Sequence, residues 1–251
     1  MATVALIAAG LPIGFLIGVV GIGGVLLAPL LAHLFGRDIH EAVALALASF
    51  VLGGAVAAAA AHRNEAALRL ADWCLLAALV PGALVGSLVT PLIPTAALSL
   101  VISVCIVLAG VSCLGGAKAE PTARKGHGPA VFIGLGLAAG CLSVISGTGG
   151  PMILVPMLLA VGMEVRRMLA ISQVAQLPVA ATATVANALS GTLDVAAAGV
   201  LGVSVVAGML VGLAVARRLD AAMLRRCVAW CLVIAGAGLL AVDLWGLIHT
   251  G

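Results

Sequence analysis

The sequence is poor in charged and aromatic side chains. Of its 251 residues, 8% are charged and 3% are aromatic, whereas 64% are hydrophobic. Soluble domains carry about 25% charged and about 45–50% apolar residues. A soluble domain of this length needs a polar surface that so few polar residues cannot cover. The composition therefore excludes a soluble protein and predicts an all-α polytopic membrane protein embedded in the lipid bilayer.

Further absences exclude other classes of protein. A net charge of +3 provides no basic patch, which excludes a nucleic-acid partner. The six cysteines form no Cys-x-x-Cys pair and lie in or beside apolar runs, which argues against a disulfide scaffold. The sequence has no Gly-x-x-x-x-Gly-Lys-Ser/Thr loop for ATP and no cluster with metal-ligand spacing. We therefore expect no cofactor and no bound metal.

An intramembrane serine hydrolase is the one enzyme that the sequence raises. Ser146-Gly147 would supply its nucleophile, but no histidine that could act as the base occurs between His127 and His249. We therefore expect that the protein is not an enzyme.

Long apolar runs separate the charged residues. The first basic residue is Arg37, so the opening run lacks the basic segment of a signal peptide and is interpreted as a permanent membrane element. Six runs have the length of a single span, which is about 17–25 residues. The first and the fifth are longer. In order, the runs cover 3–35, 42–61, 73–90, 95–115, 129–162, 168–189, 195–216 and 227–247.

The two longest runs are interrupted by similar glycine motifs. Gly21-Ile22-Gly23-Gly24 interrupts the first, and Gly147-Thr148-Gly149-Gly150-Pro151 interrupts the fifth. Glycine weakens a helix by about 1 kcal/mol and proline by about 3 kcal/mol, so each run is predicted to be a broken helix. A charged loop and three spans follow each broken run. We therefore predict a first repeat at 1–115, a linker at 116–128 and a second repeat at 129–251.

The distribution of Lys and Arg, which collect in cytoplasmic loops, distinguishes two topologies. If each broken run crosses the membrane once, the 12 basic residues divide five to seven between the two sides. If each broken run returns as a hairpin, the loops at 62–72, 116–128, 163–167 and 217–226 share one side. These loops hold eleven of the 12 basic residues and leave only Arg37 opposite. The hairpin topology predicts a cytoplasmic linker and two periplasmic termini.

In this topology the two halves are inverted repeats, each a broken-helix hairpin plus three transmembrane helices. Inverted repeats with discontinuous helices are typical of secondary transporters, whose substrate site lies near the midplane. Backbone that is unwound at this depth must be buried in protein or line a cavity. The sequence therefore predicts that the glycine turns belong to a binding site.

The glycine turns are the first candidate site. The second leg of each hairpin starts at the motif, and a helix N-terminus attracts anions through its free N–H groups. Pro151 suits the first helical position. An alternative interpretation is that the glycines only allow close helix packing. The candidate residues are Gly21, Gly23, Gly24, Ser146, Gly147, Thr148, Gly149 and Gly150.

The spans after each hairpin add polar candidates. Gln173 and Gln176 share one helix face, and an amide inside a span should face the bundle interior. Hydrogen bonding between helices is the alternative role for these amides. Ser49 lies in the first of these spans and Asn187 in the second. No Lys or Arg falls inside an apolar run, and the one carboxylate within a run is Asp243.

These features together resemble a known family. The duplicated Gly-x-Gly-Gly, followed by Pro29 and Pro156 and with Ser49 in the next span, is similar to the sulfite exporter TauE/SafE family of membrane permeases. The resemblance covers nearly the whole chain. It implies transport of sulfite, organosulfonates such as sulfoacetate, or related organic anions across the bacterial inner membrane, often as export. A homo-oligomer is compatible with it.

The leading hypothesis is a secondary transporter that exports a small anion. A passive anion channel, an uptake permease for another organic anion and a non-transporting scaffold are the alternatives. The membrane potential contributes about 2.3 kcal/mol per charge per 100 mV, which supports roughly a 50-fold outward gradient of a monoanion. Export could therefore run without a driving ion. His62 is the first residue to consider if protons are coupled.

Overall fold

The computed structural model describes most of the two predicted repeats. The described residues are 2–20, 23–63, 70–115, 128–163, 165–191 and 193–216, with positions 226, 230, 233–234, 236–242 and 245. Gly21, residues 116–127 of the linker and much of the predicted last span lie outside the described residues, as does the side chain of His62. The described residues form helices and no strand, which confirms the all-α class.

Both long apolar runs are interrupted at their glycine motifs. In the first, α1 spans Ala2–Val20, a 3-10 turn spans Gly23–Leu26 and α2 spans Leu27–Phe35. In the fifth, α6 spans Pro129–Ile145 and α7 spans Pro151–Ala160. The break follows from the cluster of glycines, each of which weakens a helix by about 1 kcal/mol.

Five further helices are continuous in the described part of the chain. Three segments are long and apolar enough to cross a membrane: Ile39–Ala59, Leu70–Leu92 and Val195–Val215. This confirms a multi-pass helical membrane protein. The five helices are α3 Ile39–Arg63, α4 Leu70–Val89, α5 Thr95–Gly115, α8 Val165–Leu189 and α9 Val195–Ala216.

Two pairs of parallel helices pack through glycine. α1 packs on α9, and α6 packs on α4. Gly14 lies so close to the Val205 carbonyl, and Gly140 to the Leu79 carbonyl, that a β-carbon at either glycine would overlap the oxygen. Small residues permit such close approach between membrane helices, which have little hydrophobic driving force to associate in lipid. The alternative role of glycine in packing thus applies to these helix faces.

The contacts of the first pair recur in the second at a constant shift of 126 residues. The same shift relates Ile39 to Val165, where α3 and α8 begin, and Arg63 to Leu189, where they end. α3 and α8 also contact each other, with Gly54 against Leu177. The recurring contacts are Gly10–Leu201 and Gly136–Leu75, Gly14–Val205 and Gly140–Leu79, Gly208–Leu11 and Gly82–Leu137, and Gly212–Phe15 and Gly86–Cys141.

An ion pair joins α4 to α8. Nη2 of Arg167 donates to both carboxylate oxygens of Asp72 at 2.6 Å, and Nε donates to Oδ2 at 3.1 Å. The Asp72 side chain is fully buried, while that of Arg167 is 23% exposed. The sequence analysis placed both residues in loops, but the structure places them in the first turns of their helices. Because each charge neutralises the other, the helices extend beyond the apolar runs.

We expect Arg167→Met to lower the free energy of unfolding in mixed micelles by about 3–5 kcal/mol. The reason is that the buried Asp72 carboxylate loses its guanidinium partner, and breaking a buried ion pair on one side is strongly destabilising. The double variant Asp72→Leu with Arg167→Met removes both charges and should recover most of the lost stability. A double variant as unstable as Arg167→Met alone would contradict this account of the pair.

Candidate functional site

The second glycine turn is buried and has a backbone that requires glycine. Gly147, Gly149 and Gly150 have φ angles of +64°, +74° and +123°. Other residues adopt such angles at a cost, whereas glycine adopts them readily. Helix α7 begins at Pro151, the first helical position, where the missing N–H of proline is harmless. The chain thus turns sharply inside the protein and starts a new helix there.

This turn leaves backbone donors unpaired. The N–H of Gly147 donates to the Val144 carbonyl at 3.0 Å, and that of Thr148 donates to the Ser143 carbonyl at 3.1 Å. Among the described residues, no acceptor pairs with the N–H groups of Gly149, Gly150, Met152 and Ile153. Unpaired donors at a helix N-terminus form an anion-binding geometry.

Three hydroxyl groups lie at or just before the same turn. Ser146 Oγ donates to the Leu142 carbonyl at 2.7 Å and lies 3.0 Å from Thr148 Oγ1. Ser143 Oγ is buried and has no hydrogen-bond partner among the described residues. The sequence analysis did not select Ser143, although a serine close to the glycine motif in an apolar helix was a usable signal.

The side chain of Phe50 lies between the two glycine turns. A β-carbon at Gly24 would lie 2.8 Å from Cζ of Phe50, and one at Gly149 would lie 2.8 Å from Cδ2 of the same ring. Phe50 is fully buried on α3. The two turns are therefore neighbours, separated by one aromatic ring. Sequence reasoning missed this residue, because a phenylalanine in an apolar span carries no polar signal.

Helix α8 lines the other side of the second turn. A β-carbon at Gly150 would lie 3.6 Å from the Cα of Gln176, and one at Gly53 would lie 3.8 Å from Nε2 of the Gln176 amide. Gln176 is 4% exposed. Its amide makes no hydrogen bond to any part of the chain that the structure describes. A polar side chain in an apolar bundle that has no protein partner is a candidate ligand-binding group.

The remaining residues predicted from the sequence have weaker contacts with the glycine turns, or none identified among the described residues. Ser49 donates to the Ala46 carbonyl of its own helix at 2.7 Å, and its backbone contacts Gly202 of α9. Gln173 is half-buried, with no contact to either turn identified. Asn187 is half-buried and lies eleven positions beyond Gln176, about 16 Å along α8. Gly23 begins the 3-10 turn of the first motif.

The family profile described as sulfite exporter TauE/SafE matches residues 6–239. The chain belongs to the sulfite exporter TauE/SafE family. The match includes both glycine motifs, Phe50 and Gln176, and it confirms the resemblance noted in the sequence. TauE/SafE proteins are membrane transporters rather than enzymes. Searches among curated proteins and among solved structures gave no match to this chain.

We expect Gly24→Ala and Gly149→Ala to abolish transport for different reasons. Both place a β-carbon 2.8 Å from the Phe50 ring, but only Gly149 also has a positive φ angle. Combining either variant with Phe50→Leu removes the aromatic ring. This should restore transport to Gly24→Ala. It should not restore Gly149→Ala, because the backbone cost of about 1–2 kcal/mol remains.

The measurement is anion flux at equal amounts of protein in the membrane. Gly134→Ala is the matched control, since a β-carbon there meets nothing within 4 Å. Equal recovery of both variants by Phe50→Leu would contradict a special backbone conformation at Gly149.

Proposed function

We propose that this TauE/SafE protein is a secondary transporter that exports sulfite or an organosulfonate, bound between the glycine turns. The observation that carries the proposal is the set of unpaired N–H groups at Gly149, Gly150, Met152 and Ile153 beside the unpartnered amide of Gln176. The N–H groups and the NH2 of the amide are hydrogen-bond donors, and the described residues of the two glycine turns include no charged side chain. Donors of this kind suit the oxygen atoms of a small anion.

The electrostatics of the site favour an anion that binds and is released. A helix N-terminus carries about half a positive charge. The start of α7 and the 3-10 turn that leads into α2 supply two such ends beside Phe50. A full positive charge from Lys or Arg at this depth would hold the anion more tightly and slow its release. The sparse site therefore supports transport rather than storage of the anion.

The proposal includes two inverted-topology repeats at 1–115 and 129–251, joined by the linker. The glycine contacts that recur at a shift of 126 residues support the duplication. The Asp72–Arg167 pair supports the hairpin topology, because that topology places both helix starts on one side of the membrane. A topology with eight single crossings would place them on opposite sides.

A pocket at the other end of the molecule gives independent support. Arg37 and Glu41 line it together with Gly191 and Asp194, and its volume is about 270 Å³. The hairpin topology places these two connections on the same side, whereas eight single crossings would separate them. We propose that this end faces the periplasm, as do both termini, and that the protein resides in the inner membrane.

The position of Phe50 favours a transporter over a passive channel. Its buried ring lies against both turns, so the two halves of the proposed site are not joined by an open path at this point. A transporter that exposes its site alternately requires such a closed state, whereas a conducting channel requires a continuous path. An uptake permease would have the same geometry, and the direction of flux distinguishes it from an exporter.

We expect Gln176→Leu to reduce anion flux about 10- to 150-fold. Losing a hydrogen bond to a charged group costs about 1.5–3 kcal/mol, which corresponds to that range. Gln173→Leu, on the same helix, is the control and should have a smaller effect. Flux of sulfite and of ethanesulfonate is measured in proteoliposomes with an imposed potential, and again at zero potential with a pH gradient.

Each outcome of this experiment bears on one hypothesis. If no anion shows flux, the non-transporting scaffold is the remaining hypothesis. Flux without saturation, accompanied by channel currents, would indicate a channel. Uphill movement of the fully ionised ethanesulfonate driven by the pH gradient alone would show proton coupling and contradict export driven by the potential.

The topology predicts opposite labelling of two introduced cysteines in a chain whose six native cysteines are replaced. Ser190→Cys should react with an impermeant maleimide in intact cells, because this exposed residue follows α8 at the proposed periplasmic end. Glu120→Cys, in the basic linker, should react only after the membrane is permeabilised. Reaction of Glu120→Cys in intact cells would overturn the topology.

A further inference from the structure

We infer that the substrate is an amphipathic monoanion, with its anionic head at the second glycine turn and a short apolar group against Phe50. This inference rests on the proposed transport function and narrows the class of anion. It follows from a difference between the two repeats. At equivalent positions the first repeat has an aromatic residue, Phe50, and the second repeat has an amide, Gln176.

Phe50 and Gln176 occupy equivalent places. They are 126 positions apart, which is the shift at which the helix contacts recur. The ring of Phe50 lies against Gly24, the last glycine of the first motif, and the backbone of Gln176 lies against Gly150, the last glycine of the second. The Gln176 amide nitrogen lies close to Gly53 of α3. At this equivalent position, one half has an aromatic ring and the other has an amide that makes no hydrogen bond to the described residues.

The sequences of the two motifs differ in the same direction. Ser146 and Thr148 in the second motif correspond, at the same shift, to Val20 and Ile22 in the first. The two hydroxyl groups bond to each other and lie beside the unpaired N–H groups of the second turn. Polar groups are thus concentrated in the second half, and the first half is apolar at each of these positions.

A site with one polar side and one apolar side favours anions that have a polar end and an apolar end. Sulfite is polar on most of its surface, so contact with a ring would remove water without replacing its hydrogen bonds, which is costly. A dianion with a charge at each end, such as sulfoacetate, would place its carboxylate against the ring. A short alkanesulfonate has one charged end for the second turn and a hydrocarbon end for Phe50.

The test is competition in proteoliposomes that contain the whole protein. Uptake of labelled ethanesulfonate is measured against unlabelled methanesulfonate, propanesulfonate, sulfite and sulfoacetate. A buried methylene group is worth about fourfold in affinity, so propanesulfonate should compete about 16-fold better than methanesulfonate. Sulfite and sulfoacetate should compete more weakly than ethanesulfonate.

Two substitutions at Phe50 connect this ranking to the ring. Phe50→Gln makes the first half resemble the second, so the gain from each methylene should disappear and sulfoacetate should compete at least tenfold better. Phe50→Leu keeps an apolar side chain and should retain the order of the wild type.

The outcomes separate the inference from the function on which it rests. Uptake of labelled ethanesulfonate, with sulfite and sulfoacetate competing as well as unlabelled ethanesulfonate in the wild-type protein, would overturn the inference and leave the transport function intact. An unchanged ranking in Phe50→Gln would also overturn it. Absence of both ethanesulfonate uptake and sulfite flux in the proteoliposomes would overturn the transport function itself. The wild-type series requires no substitution, so the inference can be tested even if a variant fails to fold.

Discussion

The structure depends on one constraint, which is that peptide groups freed from a helix inside a membrane cannot be left facing lipid. Each unsatisfied group costs several kcal/mol in hydrocarbon. The second glycine turn frees four N–H groups in the described structure, and it is buried against α3 and α8 rather than exposed. The surrounding helices bury these turns and keep them away from lipid.

The glycine-mediated helix pairs are one way in which this cover is built. α1 with α9, and α4 with α6, approach until glycine lies on the backbone of the partner helix. Such contact brings each broken helix against a continuous one. The Asp72–Arg167 pair adds a directional contact between α4 and α8 at one end. Close packing and one buried ion pair thus hold the unwound segments in place.

Divergence between the two halves gives this scaffold its chemical character. Two identical halves would present the same groups from both sides, which suits a ligand with equal ends. Phe50 and Gln176 stand at equivalent places and have opposite polarity, so the site has a polar side and an apolar side. The geometry of the turns provides for binding an anion, while the ring and the amide determine which anion is accepted.

The sequence by itself determined the membrane class, the two broken helices and the family. These depend on hydropathy and on glycine, whose effects are local along the chain. Of the polar candidates, it identified Gln176 together with Ser49 and Asn187, but could not distinguish them by position. Periodicity along one helix gives a shared face and does not say which helix that face meets.

Only the tertiary structure decided which residues meet at the turns. It placed Phe50 between Gly24 and Gly149, left Ser49 bonded within its own helix, and paired Asp72 with Arg167 across 95 positions of sequence. These contacts depend on how each helix is rotated and how closely its neighbours approach. In a chain this uniformly apolar, hydropathy does not distinguish one buried face from another, so glycine packing and paired polar groups select the arrangement.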